Sequence, residues 1–190
     1  MFCFTKPDRD SFENFITSAG SDAYSYPEIG STAAELPRNY TIDRNRCELG
    51  FGGSTFLWAK KAINNWEMFN IGWIELYDNR APIVKGRNVA LLIEHFGFYS
   101  LNAAKIVYTI DEPNCYGFAY GTLTSHGEIG EERFTVDLDK RTNIVTYNIL
   151  AMSRPGHILA KLGYPITRYL QKQFAVDSMQ AMKLAVTSKK

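Results

Sequence analysis

Cysteine is scarce in this chain: Cys3, Cys47 and Cys115 form an odd, widely spaced set without a CxxC pair. That argues against a disulfide framework and a zinc site, and makes a reducing, cytoplasmic setting the simplest expectation. Long apolar runs are also missing. The longest wholly aliphatic stretch, Val89 to Ile93, is far too short to span a bilayer, so no integral membrane segment is expected. The opening MFCFTKPDRD lacks a basic region followed by an apolar one, so no signal peptide is read there. Neither sign of charge dominates. Twenty-one basic against 20 acidic side chains leave a net charge of +1, which argues against nucleic acid as the main partner.

What the chain does have is length and rings. Its 190 residues suit a single domain that buries roughly 70% of its unfolded surface. Hydrophobic residues make up 45% and aromatics 14%, with eleven Tyr and twelve Phe, enough for a pocket or a large sheet core.

Asp8 or Ser11 is placed to cap a short helix carrying Phe12, Phe15 and Ile16, ended by Gly20. A loop to residue 39 separates it from the body, residues 40–190. Tyr40 to Leu49 reads as a polar strand. After the glycines at 50, 52 and 53, Ser54 or Thr55 opens a helix to about Phe69, with Phe56, Ala59, Ile63 and Trp66 on one stripe. Six further strands are expected over 72–78, 84–95, 103–112, 115–123, 131–138 and 143–152. Their short turns join antiparallel neighbours, because parallel crossovers need a dozen residues or more. A long helical region from about His157 to Val186 closes the chain, with Pro165 starting or kinking its main segment.

An antiparallel meander that must bury one face curls around the last helix. The expected class is therefore α+β, with a curved antiparallel sheet of about seven strands wrapped around a long carboxy-terminal helix. This element order resembles the helix-grip fold of steroidogenic-lipid-transfer and birch-pollen-allergen proteins, an analogy of fold that carries no activity.

The motifs GFAYGTL (117–123), GEERF (130–134) and SRPGH (153–157), with His126 between the first two, resemble the family catalogued as domain of unknown function nineteen-ninety. The likeness extends to YPEIGST (26–32), LP (36–37), LGFG (49–52), WEMF (66–69), GW (72–73) and LGYP (162–165), nearly the whole chain. It implies no established reaction, cofactor or catalytic residue.

Polar residues at strand ends mark where a site would sit. Strand alternation puts Glu132 on a face with Phe134, Val136 and Leu138, and Glu131 on the other with Arg133, Thr135 and Asp137. Glu132 is therefore expected to point inward. A carboxyl among apolar neighbours is costly unless paired or protonated, and so suits ligand orientation or acid/base work. The structural alternative is a buried pair with Arg154. His126 is a second acid/base candidate, or a turn-stabilising imidazole, and His157 a third. No metal-ligand spacing is present. Tyr108, Tyr120 and Asn148 are read as polar tips entering an apolar interior, and Arg154 as a clamp for an anionic head group. Arg168 reads as a solvated helix charge. Asp177, inside the apolar stripe of the last helix, either faces a wet cavity or pairs with a lysine.

Other motifs fall short. The GFGGS turn (50–54), with Asp78 beyond it, imitates a dinucleotide-binding turn, but Thr55 stands at the third glycine position and the preceding strand is too polar for a buried parallel sheet. The cysteines lack an activating neighbour, and Ser153 has no nucleophile elbow. Basic residues of the last helix, including Lys161 and Lys172, more simply form a solvated face than a membrane surface.

The expected function is a binding module for a hydrophobic small molecule or lipid, held in a sheet–helix cavity of roughly 300–1,000 Å³, with no cofactor. Glu132, Tyr120, Asn148 and Arg154 would fix orientation. The alternatives are an enzyme using Glu132 with His126 or His157 as acid/base in that cavity, and an interaction protein with a filled core.

Overall fold

In the computed structural model, residues 2–126, 128–156 and 164–188 are described. Strand β1 (Phe2–Cys3) and helix α1 (Arg9–Ser18) lead through short turns to β2 (Thr41–Phe51) and α2 (Gly52–Asn64). Six strands follow, β3 (Ile74–Leu76), β4 (Asn88–Glu94), β5 (Tyr99–Glu112), β6 (Cys115–Thr122), β7 (Glu128–Leu138) and β8 (Ile144–Pro155). Helix α3 (Tyr164–Thr187) ends the fold. All pairings are antiparallel, in the order β2-β8-β7-β6-β5-β4-β3, with β1 added to β5. The expected curled sheet around a terminal helix is the observed architecture.

The two faces of the sheet are covered by different parts of the chain. On the inner face, α2, the 66–69 turn and α3 pack onto Phe118, Phe134, Tyr147 and Ile149. On the outer face lies the amino-terminal segment. Asp8 caps α1 by accepting the Ser11 amide at 2.9 Å, and Phe12 packs on Ala90, Leu92 and Leu101. Further along, Tyr26 and Tyr40 bury Met152. This explains the Val89–Ile93 run. Val89 and Leu91 face the helices while Ala90 and Leu92 face α1, so a strand covered on both sides is apolar throughout.

A buried carboxylate fastens that outer cover. Glu131 points outward from β7, and the cover leaves it 2% exposed. It accepts the Tyr26 hydroxyl at 2.6 Å, the Gly30 amide at 2.7 Å, the Thr32 amide at 3.0 Å and the Thr32 hydroxyl. Thr32 has spent its only hydroxyl proton on the carboxylate, so the Tyr108 hydroxyl, 2.6 Å from Thr32 Oγ1, is the donor of that pair. Gly121 is required here: a Cβ at that position would stand 2.1 Å from the Tyr26 hydroxyl.

Several side chains sit elsewhere than expected. The bulge between Ile106 and Tyr108 reverses the alternation of β5, so Ile106 faces the core while Tyr108 is turned to the outer face. Arg168 is not a solvated charge; both its terminal nitrogens bind Asp43, at 2.5 and 2.7 Å. Asp177 accepts the Trp73 indole at 2.9 Å and the Gln173 amide at 2.8 Å rather than a lysine. The glycine turn at 50–53 enters α2 from an edge strand in an antiparallel sheet, an arrangement unlike a dinucleotide fold.

Replacing Glu131 with Ala leaves four donors facing an emptied site, two hydroxyls and two backbone amides. Glu131→Ala is expected to destabilise the fold by about 3–5 kcal/mol, since each unmet buried group costs roughly 1–3 kcal/mol and relaxation recovers part. Urea unfolding measures the loss, and limited proteolysis should show cleavage moving to residues 24–40. A loss under about 1 kcal/mol would mean that the carboxylate does not hold the segment.

Candidate functional site

The space between sheet and α3 has an aromatic half and a polar half. In the aromatic half, Phe69 enters from the turn after α2 and stacks on Tyr120 and Phe174, with centroids 6.2 and 5.7 Å apart. It also meets Phe134 edge-on at 5.6 Å, while Trp66 meets Phe118 at 5.1 Å. Trp66 holds a left-handed backbone, φ 58°, where the chain leaves α2 to place these rings.

The polar half is built from inward positions of β2, β7 and β8 and one side of α3. Arg168 binds Asp43 and donates to Gln171 Oε1 at 2.6 Å. Gln171 Nε2 reaches both oxygens of Glu128, at 2.8 and 2.9 Å, and Ser153 Oγ at 3.1 Å. Asp43, Glu128 and Gln171 were not singled out from sequence. A parity count held the signal, because Asp43 shares its face of β2 with the core residues Cys47 and Leu49.

Tyr120 and Glu132 stand where the halves meet. The Tyr120 ring belongs to the aromatic cluster while its hydroxyl donates to Glu132 Oε2 at 2.8 Å. Among the described residues, no other hydrogen-bond donor reaches the Glu132 carboxyl. Burial raises its pKa to about 7, the Tyr120 hydrogen bond opposes the rise, and nearby Glu128 and Asp43 add to it. Burial also raises Glu128, against the pull of Gln171 and Arg168. Among the described residues this corner thus holds three acidic groups against one guanidinium already bound to Asp43, a balance that favours a neutral or cationic guest over an anion.

The remaining expected residues do not join this pair. His126 Nδ1 accepts the Glu128 amide at 3.0 Å within its own turn, and burial lowers the imidazole to about 4. Asn148 is on the outer face, donating to Asp137 at 2.6 Å, because it shares the parity of Thr146 and Leu150. Arg154 also faces outward and covers the Tyr40 ring at 4.8 Å, so it does not neutralise Glu132. Tyr108 is on the outer face at Thr32, and His157 lies outside the described residues. Two grooves, of about 440 and 540 Å³, open on the outer face of β2-β8-β7 and beside α2; neither lies between sheet and α3. Among the described residues no cluster of His, Cys, Asp or Glu could hold a metal ion, and no helix is long and apolar enough to cross a membrane.

A carboxyl that is more readily protonated in the folded state makes folding favourable at low pH. That contribution is complete below about 4.5 and disappears as pH rises through about 7. Wild type is therefore expected to lose about 2–3 kcal/mol more than Glu132→Gln between pH 4.5 and 8, following 1.36 kcal/mol per unit. Denaturant unfolding across that range provides the comparison. Parallel stability curves for the two proteins would show that Glu132 titrates normally.

Comparison with known proteins places the chain. It is 32% identical to a UPF0548 protein of Dictyostelium discoideum, over 99% of this chain and 97% of that one. It is 29% identical to a UPF0548 protein of Arabidopsis thaliana, over 93% of each. Among solved structures, human STARD10 aligns over 96% of this chain and 81% of its own, with a TM-score of 0.51 and 13% identity. Protein Ms6760 from Mycobacterium smegmatis aligns over 82% and 97%, with a TM-score of 0.52 and 10% identity. These two likenesses are of fold alone, the helix grip. The family described as Domain of unknown function (DUF1990) matches residues 25–181, and with the UPF0548 relatives it shows that the chain belongs to that family.

Proposed function

We infer that the protein is a binding module for a hydrophobic small molecule or lipid, taken up between the sheet and α3, with its polar end on Tyr120 and Glu132. One observation carries this reading: an ionisable carboxyl, half-buried beside aromatic rings, has a single donor among the described residues and a pKa raised to about 7. A wall that served packing alone would hold an apolar residue there, since a poorly paired carboxyl costs several kcal/mol at the order-of-magnitude level. Aromatic walls with few convergent polar groups suit small-molecule sites.

The electrostatics narrow the guest. Asp43, Glu128 and Glu132 disfavour a carboxylate or phosphate head, whereas a hydroxyl or an amine can donate to Glu132. Phe69 occupies the space an apolar tail needs. It ends the single 3-10 turn Glu67–Phe69 that follows α2, so a tail enters by moving that turn.

Native mass spectrometry of freshly purified protein and titration with a fluorescent sterol bearing a free hydroxyl test the reading. Wild type should bind saturably. Glu132→Gln and Tyr120→Phe should each weaken binding roughly tenfold with the fold intact, the value of one buried hydrogen bond. Phe69→Ala should tighten it by opening apolar space. A protein that carries nothing and binds neither this probe nor a long-chain amine would leave the interior as packing only.

The pKa of about 7 also favours a second reading, in which Glu132 is an acid/base for a ligand in the same place. That reading needs turnover that Glu132→Gln abolishes while binding survives.

A further inference from the structure

The outer face of the sheet carries a second cluster that the inner site does not use. Strand register sets it out in rows across β2, β8 and β7. Arg44 and Arg133 are both paired with Leu150, Arg46 and Thr135 with Asn148, and Glu48 and Asp137 with Thr146. Neighbouring strands lie about 4.8 Å apart and successive same-face residues about 6.8 Å apart. Arg44 and Arg133 thus flank Leu150 across roughly 10 Å, with Arg46 one row below. Apart from Glu48, these residues line the groove of about 440 Å³.

The groove exists because the amino-terminal cover stops short. Tyr26 and Tyr40 bury Met152, one same-face step above Leu150, and the Thr32 carbonyl at the cover's edge accepts Arg133 Nη1 at 2.6 Å. That bond fixes the Arg133 guanidinium at the rim. Arg44 and Arg46 are exposed, and among the described residues no carboxylate lies within ion-pair distance of either. The acidic residues stand at the opposite end. Asp137 accepts Asn148 Nδ2 at 2.6 Å and the Thr135 hydroxyl at 3.1 Å. Because a carboxylate can only accept, Asn148 must turn its nitrogen to Asp137, which leaves its carbonyl oxygen facing the groove as an acceptor.

We propose that this groove binds a small phosphate monoester that also carries a hydroxyl, with its phosphate over Leu150 between the arginines and its hydroxyl on Asn148. Three arginines line one groove, Arg133 anchored at its rim by the Thr32 carbonyl and Arg44 and Arg46 exposed on β2, and their planar donor sets match the several acceptor oxygens of a phosphate dianion. The Asn148 carbonyl, one row away, distinguishes an ester that donates a hydrogen bond from inorganic phosphate. The phosphate can belong to a free metabolite or to a lipid head group; the chemistry at the groove is the same. This site is separate from the inner one, so its test does not depend on the outcome there.

Calorimetric titration of the full chain with glycerol 3-phosphate, inorganic phosphate, sulfate and succinate at low ionic strength tests the assignment. Glycerol 3-phosphate should bind saturably, more tightly than the other three, and weaken as salt is added. R44Q and R46Q should each cost roughly tenfold, as expected for a charge-assisted hydrogen bond, with unchanged thermal unfolding. N148A should abolish the preference over inorganic phosphate without weakening phosphate itself, and E132Q should change nothing. Flotation with phosphatidylcholine vesicles carrying lysophosphatidic acid, a phosphate monoester that keeps one free hydroxyl, separates the sources. Arginine-dependent flotation assigns a lipid head group, and its absence alongside glycerol 3-phosphate binding assigns a free ester. The proposal is overturned if neither probe binds, if the R44Q/R46Q double variant binds as wild type does, or if succinate or sulfate binds as tightly as glycerol 3-phosphate.

Discussion

Successive side chains of a strand leave on opposite faces, so Glu131 and Glu132 put two carboxyls on opposite sides of the same sheet, and both sides are covered. The fold resolves the two burdens differently. Glu131 receives four donors from one short loop and becomes the fastening of the amino-terminal cover. Among the described residues Glu132 receives one, from Tyr120, and is left with a raised pKa. The saturated carboxyl has no capacity left for a guest, and the unsaturated one does. Adjacent residues of one type thus differ by the number of donors each meets, one fastening the fold and the other keeping acceptor capacity.

That fastening has consequences along the whole sheet. Because residues 12–40 lie on the outer face, strands there can be apolar on both sides, as β4 is, and the molecule has three layers. The cover ends at Met152, and below it the same strands change character. Leu150 is flanked by arginines instead of tyrosines. The boundary between covered and open sheet is therefore also the boundary between packing and polar chemistry on the outer face.

Element order and alternation made most of this architecture legible. The Asp111–Asn114 and Asp139–Thr142 turns announced antiparallel neighbours, Asp8 announced α1, and the inward direction of Glu132 followed from its parity with Phe134 and Val136. Failures have particular causes. Tyr108 was misplaced because a one-residue bulge, invisible to a period-two count, reverses the face beyond Ile106. Asn148 and Arg154 were drawn inward because Leu150 and Met152, on their face, are apolar; that face is apolar because a segment remote in sequence covers part of it. Strand β7 begins at Glu128 rather than Glu131 because Gly130 is no breaker. It lies so close to β8 that a Cβ would stand 1.9 Å from the Met152 carbonyl oxygen. The partners of Arg168 and Glu128 were illegible for a different reason, as they depend on how α3 is rotated over the sheet, which no local pattern specifies.

A net charge of +1 suggested that no field of either sign exists, and for the whole chain that holds. Locally it does not. Across β2, β8 and β7 the inward positions collect Asp43, Glu128 and Glu132, while the outward ones collect Arg44, Arg46 and Arg133. Around Leu150 base lies above the sheet and acid beneath it, while the outward Glu48 and Asp137 stand two rows further along the same face. The acidic side raises the cost of its own ionisation, whereas Arg44 and Arg46 on the basic side are open to solvent. A sheet of this kind can sort charge between its two faces while the molecule as a whole stays close to neutral. Alternation produces that sorting: neighbours such as Asp43 and Arg44, or Glu132 and Arg133, cancel in composition and separate in space.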